Sequence, residues 1–163
     1  MKILDLVDDV RSGCKSVLTT MTLEEYKKLS FFAFNNNGNI DGQRSVIKRS
    51  STAAKIRKRM ADDFRKGAIF PQVVLGVLFS TENMQNLDES KFYMLLESVN
   101  EGQISIIDGM QRSNIYFENY EDNKQQKIRV EFWCSDASTK LLYRMLVLNT
   151  GQVPWNTRRQ LEV

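Results

Sequence analysis

Residues 103–116 read Gln103-Ile104-Ser105-Ile106-Ile107-Asp108-Gly109-Met110-Gln111-Arg112-Ser113-Asn114-Ile115-Tyr116. The apolar run 104–107 is typical of a buried β-strand, and the Asp-Gly pair marks its end. The residues that follow return to helical spacing, so the stretch predicts a strand, a tight turn and a helix. Strand and helix patterns alternate elsewhere in the chain too. We therefore expect an α/β (α+β) domain with a small mixed sheet flanked by helices.

The predicted turn is a candidate anion site. The first amides of a helix have no partner inside the helix and attract negative charge. Gly109 lets a ligand approach the backbone closely, and Arg112 carries a guanidinium that can bind two phosphate oxygens. The same residues also fit an ordinary Asp-Gly turn followed by a surface arginine. Local chemistry leaves both interpretations open.

Residues 106–112 resemble the Asp-Gly-Gln-(Gln/His)-Arg motif of a prokaryotic group in the ParB/sulfiredoxin-like superfamily. That group includes the NTPase specificity subunits of modification-dependent restriction systems and the DndB-type proteins of DNA phosphorothioation. Residues 70–76 are similar to the strand before the family's motif, and residues 148–154 to its Asn-x-Gly segment after the motif. Gln43-Arg44 matches an early Gln-Arg pair, so the resemblance covers about residues 40–160.

The resemblance implies one ParB/sulfiredoxin-like domain over residues 1–163 that binds an NTP with Mg²⁺. Asp108 would hold the hydrated metal or orient the turn, and Gln111 would position a water or a phosphate oxygen. For Asp108, capping its own helix is an equal alternative. The implied nucleotide-binding residues are Gly109, Met110, Arg112, Asn149, Thr150 and Arg44, with Arg158 or Arg159 as second-tier candidates and Trp155 as a residue that stacks on a base or anchors the core.

The motif departs from its relatives at Met110. Sulfiredoxins carry their reactive cysteine at this place, and ParB proteins carry a glutamate that supports CTP turnover. The restriction-type group usually has Gln there. The resemblance therefore excludes sulfinic-acid reduction and favours nucleotide binding over fast hydrolysis, which leaves NTPase activity open. The chain contains no histidine, which excludes His-based triads and His-Asn-His nuclease centres within it.

Positive charge is concentrated in residues 48–66, although the net charge of the chain is only +3. Ser50 or Ser51 is a candidate N-cap for a helix that ends near Lys66. Its predicted buried stripe is Ala53, Ile56, Met60 and Phe64. The opposite face is either a solvated charged surface or a surface that follows a nucleic-acid backbone. The candidate DNA-binding residues on it are Lys55, Arg57, Lys58 and Arg59.

The N-terminal segment shows apolar residues at helical spacing, which predicts an amphipathic helix over residues 2–18. Thr22-Leu23-Glu24-Glu25 is a capping box that opens a second helix. We therefore expect a helical N-terminal part, about residues 1–35, followed by a core of about residues 40–160. A helix start signal at Asn156 or Thr157 has no stop signal after it, which suggests truncation at the C-terminus.

No apolar run approaches the ~20 residues that a membrane span needs. Cys14 and Cys134 are too few and too far apart for a disulfide framework or a zinc knuckle, so we expect two free thiols in a reducing cytoplasm. The leading hypothesis is a nucleotide-binding domain of a restriction–modification or antiviral defence system, with other subunits or a missing C-terminal domain as partners. The alternatives are a DNA-binding transcriptional regulator and an interaction module without nucleotide turnover.

Overall fold

The computed structural model describes residues 1–40 and 51–150, with the side chains of 51–53 and 148–150 excepted. Within these ranges lie five strands and seven α-helices, which confirms the predicted α/β (α+β) class. In chain order they are β1 (Lys2–Asp9), β2 (Cys14–Thr22), α1 (Leu23–Asn35), α2 (Ser51–Arg65), β3 (Val73–Leu78), α3 (Thr81–Met84), α4 (Glu89–Ser98), β4 (Ile104–Asp108), α5 (Met110–Glu118), α6 (Tyr120–Asn123), β5 (Lys127–Ser135) and α7 (Ser138–Thr150). Short 3-10 helices occupy Asn37–Asn39 and Glu101–Gln103.

One mixed sheet joins the five strands in the order β1-β2-β5-β3-β4. β3 and β5 are parallel, whereas the other neighbouring strands are antiparallel. Because β4 runs against β3, its last residue Asp108 lies opposite Val74, near the start of β3. The motif turn therefore leaves the sheet at one corner.

Both faces of the sheet are covered by helices. β3 is buried on both sides, which suits its almost wholly apolar sequence. On one face, Val73 and Leu75 join the larger core. On the other face, Val74 belongs to a smaller core with Leu141 of α7. Gly76 makes room for this helix, because a Cβ there would stand 2.9 Å from Leu141 Cδ1.

The helix predicted over residues 2–18 is wrong, because this segment forms the β1–β2 hairpin. Val7 and Val10, which the predicted helix would bury, are 52% and 92% exposed. The hairpin turns through Gly13 at φ 69°, and Gly13 N donates to Asp9 O at 2.9 Å. The apolar spacing was misleading because a bulge between Ile3 and Asp5 shifts the two-residue alternation of the strand.

The expected helical N-terminal part of the domain, about residues 1–35, contains two strands as well as one α-helix. β2 pairs with β5 from Lys15 opposite Cys134 to Thr22 opposite Lys127, so the hairpin is part of the same sheet. Only α1 is α-helical within this part. Its predicted capping box is confirmed: Glu25 N donates to Thr22 Oγ1 at 3.2 Å, and Thr22 N donates to Glu25 Oε2 at 2.8 Å.

The basic helix is confirmed as α2, although its predicted buried stripe is only partly correct. Phe64 is buried and Met60 partly buried, but Ile56 is 51% exposed. The reason is that packing on the core is concentrated at the C-terminal end of α2. There the Phe64 ring lies 5.0 Å from the ring of Tyr116 in α5.

Two further expectations concern the membrane and the thiols. Cys14 and Cys134 are buried and free, as predicted. Among the helices of the described ranges, none is long and apolar enough to cross a membrane.

Candidate phosphate-binding site

The strand, turn and helix predicted for residues 103–116 are confirmed as β4, Gly109 and α5. Gly109 adopts the left-handed conformation, with φ 104° and ψ 18°. A Cβ at this position would lie 3.0 Å from both methyl carbons of Val73 and 3.2 Å from Arg112 Nη2. Glycine is therefore required twice, once by the backbone angle and once by the lack of space.

The N-terminus of α5 has no side-chain cap. Its first backbone hydrogen bond runs from Ser113 N to Gly109 O at 2.8 Å. The amides of residues 110–112 precede this bond and lie at the positive end of the helix dipole. This end of the helix attracts an anion more strongly than a terminus that a carboxylate already caps.

Arg112 is held over the turn by groups of the protein itself. Its Nη2 donates to Asp108 Oδ2 at 2.6 Å and to the backbone oxygen of Gln72 at 3.3 Å. The Arg112 side chain is 20% exposed and that of Asp108 34% exposed. Arg112 Nε is buried without a hydrogen-bond partner among the described residues. A phosphate at this turn would therefore compete with Asp108 for the guanidinium.

A buried pair of hydroxyl groups connects the turn to the core. Tyr26 of α1 and Ser113 are joined through their hydroxyl oxygens at 2.6 Å, and Ser113 Oγ also donates to Gly109 O at 3.0 Å. Burial raises the pKa of Tyr26 to about 12, while the hydrogen bond with Ser113 acts in the opposite direction. Tyr26 is thus a neutral partner that links the core to the glycine turn.

The remaining candidate residues of the turn differ in their surroundings. Met110 is buried in the larger core, so only its amide remains as a candidate ligand. Gln111 is half-buried, and its side chain has no polar contact within the described part of the chain. Asn149 and Thr150 are the last two residues of α7 rather than part of a turn, and their side chains are not described. Arg44, Trp155, Arg158 and Arg159 lie outside the described residues.

Asp108 is the one carboxylate that we assign as a candidate metal ligand at the turn. Among the described residues, no group of three or more His, Cys, Asp or Glu side chains could hold a metal ion. A protein-enclosed transition-metal site is therefore absent from that part of the chain. Mg²⁺ bound with a nucleotide has a lower requirement, because one or two carboxylates are enough when phosphates and water complete the shell.

The candidate DNA-binding residues lie on α2, next to α5. Lys55, Lys58 and Arg59 are exposed, whereas Arg57 is half-buried. The sequence therefore identified the charged surface, and the structure adds that α2 packs on α5 through Phe64 and Tyr116.

Comparison with known proteins provides no relative. No family model, no curated protein and no solved structure matches the chain. The resemblance to the ParB/sulfiredoxin-like superfamily therefore stays a prediction based on short motifs.

Three residues at the turn were not foreseen as part of the site. Gln72, just before β3, accepts a hydrogen bond from Arg112, and Val73 of β3 lies beside Gly109. Tyr26 of α1 is hydrogen-bonded to Ser113. These contacts are non-local, so spacing along the chain carries no signal for them. The ion pair between Asp108 and Arg112 did have a signal, because the two residues are four apart at a helix start.

Proposed function

We propose that the domain binds the phosphate groups of a nucleoside triphosphate, with Mg²⁺, at the Gly109 turn. The observation that carries this proposal is the position of Arg112. Its guanidinium lies directly over a left-handed glycine at the uncapped start of a helix. Backbone amides and a neighbouring guanidinium are complementary to phosphate oxygens in both charge and geometry.

The ion pair between Asp108 and Arg112 suggests how the ligand enters. In the structure the two charges neutralise each other at 2.6 Å. A nucleotide with Mg²⁺ brings a cation for Asp108 and an anion for Arg112. Each residue therefore keeps a partner of opposite charge when the ion pair opens. When phosphate binds without the metal, the negative charge of Asp108 loses its positive partner. Binding is therefore metal-dependent because of Asp108.

Hydrolysis is assigned to the two remaining polar groups of the turn. Gln111 would position a water beside a bound terminal phosphate, and Asp108 would hold the Mg²⁺, which would supply charge stabilisation. Met110 brings no acid or base to the turn, so turnover is slow compared with binding. The resemblance of residues 106–112 to the restriction-type motif supports a role in a DNA-modification or phage-defence system, in the cytoplasm, beside other subunits or a further domain.

Thermal unfolding with each of the four NTPs, with and without Mg²⁺, tests the proposal. At a free ligand concentration 100 times Kd, one nucleotide stabilises the fold by about 2.7 kcal/mol. Arg112→Ala removes this stabilisation, while Arg129→Ala, an exposed arginine on β5, serves as the matched control and retains it. If no nucleotide stabilises the wild-type protein, or if both variants respond equally, the proposal fails.

Asp108→Asn separates the two roles of the carboxylate. The variant frees Arg112 from its acidic partner, so phosphate binding becomes stronger without Mg²⁺ and loses its dependence on the metal. Gln111→Ala leaves binding unchanged and lowers the rate of hydrolysis. Equal Mg²⁺ dependence in the wild type and in Asp108→Asn would remove Asp108 from the metal site.

The second candidate function is DNA binding through α2. It is favoured by the exposure of Lys55, Lys58 and Arg59 along one helix, where they can neutralise successive phosphates. Such contacts position a protein on nucleic acid without reading its sequence. A domain that binds duplex DNA with a strong salt dependence but no nucleotide would be a regulator of this kind.

A further inference from the structure

A cavity of about 370 Å³ lies between the β1–β2 turn and α7, away from the residues of the glycine turn. Arg11 and Asp9 line it from the hairpin, Lys140 and Arg144 line it from the helix, and Trp133 lines it from β5. Three of these five side chains are cationic. The cavity is thus a basic recess with an aromatic wall.

The carboxylates around the cavity do not neutralise its two guanidinium groups. Lys140 Nζ pairs with Asp136 Oδ1 at 2.8 Å. Asp9 accepts hydrogen bonds from Ser12 Oγ at 2.7 Å and from the backbone amide of Arg11 at 3.1 Å. Its pKa is lowered first by the Ser12 hydroxyl and to a lesser extent by Arg144.

Neither guanidinium has an ion-pair partner among the described residues. For the Arg144 guanidinium, Asp9 is therefore a neighbouring charge rather than an ion-pair partner. With Lys140 paired to Asp136 and Asp9 counted against the two guanidinium groups, one net positive charge remains at the cavity.

Both guanidinium groups lie over aromatic rings. Arg144 Cζ lies 4.3 Å from the centre of the Trp133 ring, and Trp133 is only 6% exposed. Arg11 Cζ lies 5.7 Å from the centre of the Tyr143 ring. Arg144 Nε is buried and has no hydrogen-bond partner within the described ranges. Stacking occupies the faces of a guanidinium and leaves its N–H edge for an acceptor.

We propose that this cavity is a second binding site, which takes a small phosphate monoester as its dianion. Each of the two guanidinium groups, Arg11 and Arg144, can bind a pair of phosphate oxygens. The volume lies at the lower end of the range for small-molecule sites, ~300–1,000 Å³. A small ligand fits this recess better than the phosphodiester backbone of a polymer, which carries one charge per phosphate.

Fluorescence of Trp133 tests this site directly. Trp155→Phe leaves Trp133 as the only tryptophan of the chain, and the full-length variant is titrated with phenyl phosphate. We expect a saturable change in emission, because the ligand alters the guanidinium that covers the indole ring. Arg144→Gln and Arg11→Gln, made in the same background, each weaken binding by about tenfold or more. Arg11 is exposed on a turn, so its variant retains the fold.

The controls separate this site from the glycine turn and from general charge. Arg112→Ala and Arg129→Gln leave the titration unchanged. Binding weakens as the pH falls below about 6, where a phosphate monoester takes up its second proton. The proposal is overturned by the absence of a saturable change, by affinities of Arg11→Gln and Arg144→Gln equal to that of the Trp155→Phe parent, or by tighter binding of a single-stranded oligonucleotide than of phenyl phosphate.

Discussion

Asp108 and Arg112 form an ion pair of 2.6 Å that bridges the Gly109 turn from the end of β4 to the first turn of α5. Arg112, the only arginine of the motif, therefore already has an ion-pair partner within the protein. Under the proposed function, the affinity of the turn for a nucleotide would be the phosphate interaction minus the cost of displacing Asp108. Mg²⁺ would reduce that cost because it would supply Asp108 with another cation.

Gly109→Ala tests whether the turn requires glycine. The φ of 104° disfavours any side chain, and the new methyl group would crowd Val73 at 3.0 Å. We expect the free energy of unfolding to fall by about 3 kcal/mol. Nucleotide binding should be lost as well, because the methyl group also displaces Arg112. Chemical denaturation and the thermal shift assay measure the two effects.

Two other glycines provide matched controls for this variant. Gly67→Ala carries the strain of φ 87° but meets no atom within 4 Å, so we expect a loss of about 1 kcal/mol. Gly102→Ala meets no atom either and has no left-handed backbone, so the change should stay within about 0.5 kcal/mol. If the three variants are equally destabilised, crowding at Gly109 contributes nothing.

The hydroxyl pair of Tyr26 and Ser113 should behave as one unit. Tyr26→Phe removes one donor and is expected to lower the free energy of unfolding by about 1 kcal/mol. Ser113→Ala deprives the buried Tyr26 hydroxyl of its partner at 2.6 Å and should cost about 2 kcal/mol. The double variant should lose about 2 kcal/mol, which is about 1 kcal/mol less than the sum of the two single losses. Strict additivity in urea denaturation would show that the two hydroxyls are not coupled.

Alkaline pH should destabilise the fold through Tyr26. Burial raises its pKa from 10.0 to about 12, so the folded state holds the phenolic proton more tightly than the unfolded state. The stabilisation is complete below pH 10 and is lost as the pH rises toward 12. Urea denaturation across this interval should show a falling free energy of unfolding. Tyr26→Phe should reduce the slope; an unchanged slope would assign the effect to other groups.

Local chemistry predicted several parts of this structure correctly. The apolar run of β3, the capping box at Thr22 and the Asp-Gly turn before α5 each encode one element through adjacent residues. The charged surface of α2 could also be read directly, since a helix that is mostly polar must expose most of its circumference.

Non-local pairing decided the parts that sequence reasoning missed. The segment 2–18 is compatible with a helix by spacing alone, and only its pairing with β5 selects the hairpin. Ile56 fits a buried stripe, yet α2 meets the core only near Phe64. The cavity near Arg144 joins the β1–β2 turn to residues 133–147, which are far away in the sequence, so no motif could reveal it.

The DNA-binding alternative predicts a specific salt dependence. Binding of duplex DNA is measured at several salt concentrations for the wild type and for Lys55→Gln/Lys58→Gln. Each lost phosphate contact lowers the slope of log K against log salt by about 1, so the double variant should lose about 2. Lys2→Gln/Lys28→Gln removes the same charge from exposed positions outside α2 and should leave the slope unchanged. Equal effects of the two pairs would indicate non-specific attraction.

Under the proposed function, phosphate replaces Asp108 as the partner of Arg112 at the glycine turn. NMR of uniformly ¹⁵N-labelled protein, titrated with a nucleotide and Mg²⁺, observes both sides of this exchange. We predict that the backbone amides of residues 109–112 and the Nε–H of Arg112 shift together and saturate at one Kd. If a nucleotide binds while these resonances stay in place, the phosphate site lies elsewhere and the account of the turn is contradicted.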